Sequence, residues 1–573
     1  MESLPLLPKP KPRRGNYPPW LMLVIAFSTV LALCRLAWPL SQATAVVNNH
    51  RMPPPPNAVV RTVQITMHWN TTTQTWNPRA LFDVPDNEPK AAFATFNDSV
   101  PLIGWSQLWL RTHHDDFNTA MFAAGYAEAA VTHRRIAQHY KNTWSYFFTN
   151  DTAVAAKVTA FLERNFQWMT SQVAEHAANS TAPASARRYW RMVGGILAQL
   201  EGLSAGYKAF TTETKSLTRS DFLFLNADGD MGTLIAAVDG RDPRAKEPPN
   251  FKCSALIRLL PDDLLWGHAT WDTYTAMNKM FKHYNVPLPD DYTSFRRISM
   301  ASSPGYLSSV DDWYLVDNGL GVLETTNGIF TQSLLSLIKP QSCLSWIRAK
   351  VANALAHDGQ QWTDLFALFN SGTYNNQWMI LDTRRFHNGS MEPQGLMVLE
   401  QIPGRVVVRD VSAVLNSQGY WGSYNIPYFE AIYNESGFAK LTGDTWSHQN
   451  CSRAKIFARD APKVNSLAVL KHLLRYNDFQ HDPLSFQDPG RSVAARYDLS
   501  STDFALNGAI DAKVTSLLMA KKLECDAILG PTNDNQPTFV WTHEFDKLAS
   551  HLGQPTVFNF SFEPMRHSAH LEN

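Results

Sequence analysis

Pro249-Asn250-Phe251-Lys252-Cys253-Ser254-Ala255-Leu256-Ile257-Arg258-Leu259-Leu260, followed by Pro261-Asp262-Asp263 and Leu264-Leu265-Trp266-Gly267-His268-Ala269-Thr270-Trp271, is the stretch on which the fold of this chain turns. An apolar run of strand length, a turn with Pro at its second position and a second apolar run form a β-hairpin pattern. With Pro261 and Asp262 as the two central turn residues, Leu260 pairs with Asp263, Ala255 with His268 and Cys253 with Thr270. Side chains alternate along a strand, so Cys253 and Ala255 share a face and His268 stands one diagonal step from the sulfur. A slip of one residue would turn His268 to the other face.

Cys253 admits two readings. A free cysteine at the start of an apolar strand is commonly a small buried hydrophobe. The charged, proline-bearing loop from Arg241 to Asn250 supplies the other reading, because it has the composition of an exposed, cuttable segment. Cleavage of the Lys252–Cys253 bond would set a free α-amine beside its own thiol, and such an amine can activate a nucleophile. The second reading is an N-terminal-nucleophile hydrolase.

The rest of the chain sets the surroundings. At 573 residues it exceeds the size at which one core usually keeps growing, so two halves or one large layered domain are expected. Lys plus Arg and Asp plus Glu are 51 each, which leaves no overall field to attract nucleic acid. Lys9, Lys11, Arg13 and Arg14 precede an uncharged run from Trp20 to Leu33, and Ala43-Thr44-Ala45 suits signal cleavage. Residues 1–45 therefore read as a signal peptide or signal anchor that delivers the body of the protein to the secretory lumen. Residues 46–57 hold a Pro-rich spacer. Asn70, Asn97, Asn150, Asn179, Asn388, Asn434, Asn450 and Asn559 each begin an Asn-X-Ser/Thr triplet, in keeping with a glycosylated luminal protein. Cys343, Cys451 and Cys525 are too few and too far apart for a disulfide framework and allow at most one bridge.

Periodicity gives strands from Ala58 to Trp76 and helices over Thr119–Tyr140, Val154–Val173 and Trp190–Leu203. Phe222–Asp230 and Met231–Asp239 read as strand, turn and strand, and Asp272–Tyr284 as a helix. Tyr314–Thr326 has an Asn-Gly hairpin turn, and Leu396–Val411 adds strands. Helices at both ends with strands between predict a layered α+β fold, two sheets sandwiched between helices. His113-His114-Asp115-Asp116 reads as a solvated helix start rather than a metal site. No Gly-X-Ser-X-Gly elbow, zinc helix or phosphate loop occurs, and no cofactor or metal is called for.

A series of further segments carries a resemblance. Ser303-Pro304-Gly305, Asp311-Asp312-Trp313-Tyr314-Leu315, Leu323-Glu324-Thr325-Thr326 and Asn370-Ser371-Gly372-Thr373-Tyr374-Asn375-Asn376-Gln377-Trp378-Met379 come after the hairpin in order. Leu399-Glu400-Gln401-Ile402-Pro403-Gly404, Tyr420-Trp421-Gly422-Ser423-Tyr424-Asn425-Ile426-Pro427-Tyr428-Phe429, Arg453-Ala454-Lys455-Ile456-Phe457 and Arg475-Tyr476-Asn477-Asp478-Phe479 complete the set. Together with the hairpin they resemble the phospholipase B-like family, the lysosomal proteins related to lamina ancestor. That resemblance implies the four-layer αββα sandwich of N-terminal-nucleophile hydrolases, with an amino-terminal fragment (58–252) and a carboxy-terminal fragment (253–573) that stay associated after processing. It implies Cys253 as nucleophile, Asn425 as oxyanion donor and His268 beside them, with Trp271, Thr326 and Arg453 lining the pocket. A phospholipid substrate is implied first and an acyl-amide substrate second, while a non-catalytic lipid- or receptor-binding glycoprotein is the third reading. A lysosome or equivalent acidic compartment is the implied destination, with a homodimer left open.

Overall fold

The computed structural model describes residues 58–70, 75–82, 90–149, 151–240, 253–287 and 293–567. The leader, the Pro-rich spacer, Asn150, the loop from Arg241 and the Lys252 side of the expected cleavage bond lie outside these residues. Strands run along the chain as β1 (Val59–Asn70), β2 (Thr75–Phe82), β3 (Ala92–Asp98), β4 (Trp105–Thr112), β5 (Cys253–Leu259), β6 (Leu264–Thr273), β7 (Lys279–Asn285), β8 (Arg297–Ser302), β9 (Trp313–Val316) and β10 (Leu320–Thr326). They continue as β11 (Asn376–Asp382), the short β12 (Phe386–His387) and β13 (Ser390–Met391), β14 (Leu396–Ile402), β15 (Arg405–Asp410), β16 (Tyr420–Ser423), β17 (Asn507–Ala509), β18 (Asp511–Ser516), β19 (Cys525–Leu529) and β20 (Glu563–Met565).

Eleven strands make one sheet in the order β15-β14-β11-β10-β9-β8-β7-β4-β3-β1-β2, and a second runs β16-β5-β6-β18-β19-β20 with β17 also on β6. Of these ladders only β4 with β7 is parallel. The β5–β6 hairpin has the register expected from its two-residue turn: Cys253 opposite Thr270 and Ala255 opposite His268.

Three apolar clusters organise the layers. Ala255, Ile257 and Trp266 of the smaller sheet share one cluster with Phe281, Trp313, Leu323 and Met379 of the larger. Met280, Tyr314, Val322 and Ile380, whose neighbours in sequence face the other way, join a second cluster with helices α1 (Phe117–Phe148), α2 (Thr152–Ala178) and α3 (Ala184–Phe210). Leu256, Leu265 and Val514 join a third with two helices, Ser452–Asp460 and Leu467–Leu474. Strand alternation thus gives each sheet two buried faces. The fold is α+β, as the sequence predicts.

The three long helices obey the Ala-rich periodicity. Asp116 caps α1 by accepting the Thr119 N–H at 2.8 Å, so the His-Asp stretch before it is a helix start. Helices α1 and α3 meet at glycines: a Cβ on Gly202 would lie 2.0 Å from the Phe122 carbonyl oxygen. Only a residue without a side chain fits there.

Two segments depart from expectation. Phe222–Asp239 forms helices α4 (Arg219–Asn226) and α5 (Asp228–Asp239), the first started by a reciprocal Thr218–Asp221 capping box. A short apolar run serves buried helix and buried strand alike, and here the cap decides. Asp272–Tyr284 is not a helix: β6 runs to Thr273, a 3-10 turn spans Tyr274–Ala276, and β7 comes next. Lys279 and Lys282 resemble the polar face of a helix in sequence, yet both are buried in the sheet, paired with Asp311 and Glu128. Cys343, Cys451 and Cys525 are buried thiols outside any disulfide, and Cys253 is buried as well. Among the described residues no helix is long and apolar enough to cross a membrane.

Candidate active site

Cys253 is the first residue of β5 and is 2% exposed. Three groups, Arg453, Asn425 and Thr270, hold its backbone, and Arg453 holds the next residue as well. Its carbonyl accepts from Arg453 Nη1 at 2.5 Å, its N–H donates to Asn425 Oδ1 at 3.3 Å, Ser254 Oγ accepts from Arg453 at 3.2 Å, and the ladder to Thr270 flanks it. Arg453 also donates to the Tyr424 carbonyl at 2.7 Å, and its guanidinium lies 4.3 Å over the Trp271 ring. Trp271 is anchored in turn by its indole N–H on the Val493 carbonyl at 3.0 Å. Arg453 therefore ties the start of β5 to the segment that carries Asn425.

Asn425 stands at φ +70°, a region asparagine tolerates better than most residues. Its side-chain amide donates to the Thr326 carbonyl at 2.8 Å, leaving the second amide hydrogen uncommitted to that bond. Beyond it, the Tyr428 and Phe429 amides donate to Glu400 at 2.7 and 3.0 Å, and Gln377 adds a bond at 2.6 Å. Burial pushes the Glu400 carboxyl up to about 7 against the pull of these donors.

The sulfur faces Glu324, whose Oε1 is 3.9 Å away. Tyr374 donates its hydroxyl to the same oxygen at 3.2 Å, and Thr326 donates to Oε2 at 3.4 Å. Asp312 sits close behind, and burial, then the Glu324 charge, holds its carboxyl well above the ordinary range. Tyr374 can approach because Gly229 has no Cβ; one would lie 2.9 Å from the tyrosine ring. In the sequence Glu324, Tyr374 and Asp312 stand out only as members of longer matching segments. The available signal was Glu324 itself, a carboxylate in the middle of a buried strand.

His268 is fully buried. Its Nε2 lies 2.8 Å from the Glu324 carbonyl oxygen, and its Nδ1 is 3.3 Å from Thr270 Oγ1. Burial first, and the Lys513 ammonium second, lower its pKa to about 3. The ring is thus neutral across the physiological range and too weak a base to hold a proton there; its hydrogen bonds make it a strut between the sheets. Lys513 completes the support by donating to Thr270 Oγ1 and Asp511, each at 2.6 Å. One nitrogen of His268, the Cys253 sulfur and a Glu324 oxygen lie within 4.8 Å of one another. These are donor types that zinc accepts. Among the described residues, the two sheets thus bring together all the residues expected at the site: Cys253, His268, Trp271, Thr326, Asn425 and Arg453. Of the glycosylation candidates, Asn179, Asn388, Asn434, Asn450 and Asn559 are exposed, while Asn97 is half-buried within β3.

Comparison with known proteins gives the family. The sequence profile of the phospholipase B family matches residues 92–565. The chain is 37% identical over 492 residues to phospholipase B-like 1 of Homo sapiens, covering 83% of this chain and 87% of that protein. It is 37% identical over 491 residues to phospholipase B-like protein B of Dictyostelium discoideum, covering 82% and 84%. Phospholipase B of Crotalus adamanteus is 34% identical over 499 residues, covering 83% and 88%. The chain belongs to the phospholipase B family, a family of phospholipase-like hydrolases.

Proposed function

We propose that this protein is a luminal acyl hydrolase that removes fatty acyl chains from lipids, phospholipids in the first instance, through an autoprocessed amino-terminal Cys253 on a four-layer αββα sandwich of the N-terminal-nucleophile type. The observation that carries the reading is the bond from the Cys253 N–H to Asn425 Oδ1, which sets one side chain beside the nitrogen that cleavage would free. The arrangement of helices outside two face-to-face sheets supports the fold assignment.

In processing, the Cys253 sulfur attacks the Lys252 carbonyl carbon, the C–N bond breaks, and the nitrogen leaves as the Cys253 α-amine. Water then hydrolyses the resulting thioester and restores the thiol. In turnover, the α-amine takes the thiol proton and the sulfur attacks the acyl carbonyl. Asn425 donates to the oxyanion, a contact typically worth about 3 kcal/mol of barrier. The proton passes to the departing alcohol or amine, and water releases the fatty acid. His268 holds the sheets in register beside the thiol, and Arg453 holds the strand end.

The test is intact mass and amino-terminal sequencing of the deglycosylated luminal protein beside Cys253→Ala, followed by turnover of acyl substrates. A carboxy-terminal fragment beginning at Cys253 in the wild type, with the variant uncut and inactive, is the expected result. Two uncut proteins after acid exposure would overturn the reading and leave a lipid- or receptor-binding glycoprotein in its place.

A further inference from the structure

The sulfur of Cys253, the ring of His268 and the carboxylate of Glu324 come from three strands, β5, β6 and β10, and converge on one point. The sulfur is 3.9 Å from Glu324 Oε1, and a ring nitrogen of His268 lies within 4.8 Å of both. A tetrahedral zinc, with bonds of about 2.3 Å to sulfur and about 2.0–2.1 Å to nitrogen and oxygen, spaces such atoms about 3.5 Å apart. Small side-chain rotations bring the three to that spacing.

The imidazole is already set as a ligand. A carbonyl oxygen only accepts, so the 2.8 Å contact with the Glu324 carbonyl places the ring hydrogen on Nε2 and leaves the lone pair on Nδ1. A backbone carbonyl on the far nitrogen is what holds metal-bound histidines in one tautomer. Nδ1 is on the side of Thr270, 3.3 Å from its hydroxyl, and Thr270 stands across the ladder from Cys253. Burial, then the Lys513 ammonium, lower the His268 pKa to about 3, so protons do not compete for that lone pair in mildly acidic surroundings. The buried cations close by are themselves paired, Lys513 with Asp511 at 2.6 Å and Lys279 with Asp311. Glu324 is steadied by the Thr326 and Tyr374 hydroxyls. Those two residues also line a cavity of about 160 Å³, which gives an ion its approach to the carboxylate.

We propose that Cys253, His268 and Glu324 are the ligands of a site for a thiophilic divalent cation, zinc above all, and that the ion reversibly silences the nucleophile. Zinc takes the sulfur as thiolate, the thiol proton leaves to solvent, and a water fills the fourth position. Thiolate and imidazole select zinc over magnesium and calcium, which prefer oxygen ligands. The silencing rests on the acyl-hydrolase reading; the site itself does not.

The probes are zinc and cobalt chlorides, with magnesium chloride as control, on protein as isolated from the producing cell and stripped with a chelator. Elemental analysis after gel filtration is expected to find one zinc per chain and no magnesium. Cobalt in the same place is expected to show the near-ultraviolet band of sulfur-to-cobalt charge transfer, which Cys253→Ser abolishes while the circular dichroism of the protein stays native. His268→Gln and Glu324→Gln are each expected to weaken zinc at least tenfold. No zinc retained, bound cobalt without a thiolate band, a band that survives Cys253→Ser, or zinc affinity indifferent to His268→Gln and Glu324→Gln would overturn the site. The first two outcomes are read on the wild type alone, so a variant that fails to fold does not shelter the proposal. Hydrolysis of an acyl substrate is then followed with one equivalent of zinc and again after chelator, with at least tenfold loss and full recovery expected. Undiminished or raised turnover with zinc on Cys253 would overturn the silencing. Zinc held through Cys253, in a protein that turns over no ester or amide when metal-free, would keep the site and defeat the hydrolase reading instead.

Discussion

Replacing Glu400 by Gln should flatten the dependence of stability on pH. Glu400 is fully buried and clamps the Tyr428 and Phe429 amides just beyond Asn425. Its carboxyl rises from an ordinary 4.5 to about 7, with burial as the main cause. The folded state therefore favours the protonated form. Its stabilising contribution is present in full below pH 4.5 and is lost as pH climbs through 7. At about 1.4 kcal/mol per pH unit, that rise amounts to about 3 kcal/mol. Gln keeps the shape and stays uncharged at every pH, but its amide nitrogen cannot accept from the donor that a carboxyl oxygen meets there, so the variant should be about 1–3 kcal/mol less stable than wild type at pH 4.5, and the comparison is of the slopes with pH. With an unfolding entropy of about 1 kcal/mol/K for roughly 500 residues, 3 kcal/mol is about 3 °C. Thermal denaturation at pH 4.5, 6, 7 and 8 should show the wild-type Tm falling about 3 °C further than that of Glu400→Gln over the range. Asp230, raised to about 6, and the lowered histidines are common to both proteins and cancel in the comparison. Parallel curves would refute the assignment of this titration to Glu400.

Three other outcomes are expected. Arg453→Lys keeps the charge but cannot bridge the Cys253 and Tyr424 carbonyls while lying flat on Trp271; kcat should fall roughly 10- to 100-fold in steady-state assays, and an unchanged kcat would sink the tether. His268→Gln should leave the shape of the pH–rate profile unaltered between pH 5 and 8, because the native imidazole, lowered to about 3, does not titrate there; loss of a limb of that profile would show that the ring carries a catalytic proton. Gly202→Ala forces a Cβ against the Phe122 carbonyl and should cost about 2–4 kcal/mol, read as a Tm several degrees lower; a wild-type Tm would mean that the α1–α3 contact is looser than described.

The features legible in the sequence are the local ones. The hairpin register comes from a two-residue turn, the β9–β10 hairpin from Asn318-Gly319, and the long helices from alanine-rich spacing. Strand β7 reads as a helix in sequence because its lysines are paired with Asp311 and Glu128, the first 32 and the second 154 residues away along the chain. The same limit applies at the site. Asn425 and Arg453 stand 172 and 200 residues beyond the cysteine and are reached by resemblance, not by pattern. Glu324 and Tyr374, 50 residues apart, meet at one carboxylate oxygen, a meeting no spacing rule announces. Their residue types are visible, but only the stacking of two sheets brings them to the sulfur.

The grip of Arg453 on the Cys253 carbonyl has a consequence for mobility. A strand's first residue that becomes a chain end ordinarily frays, since nothing upstream holds it and its ladder bonds open first. Here the end is moored on three sides: by the guanidinium at its carbonyl, by Asn425 at its nitrogen and by Thr270 across the ladder. Were the peptide before it cut, as proposed, these bonds would leave Cys253 as still as an interior residue. A chain terminus held in this way can have the fixed position of an interior side chain, with its nitrogen set beside Asn425 and its place fixed by the sheets.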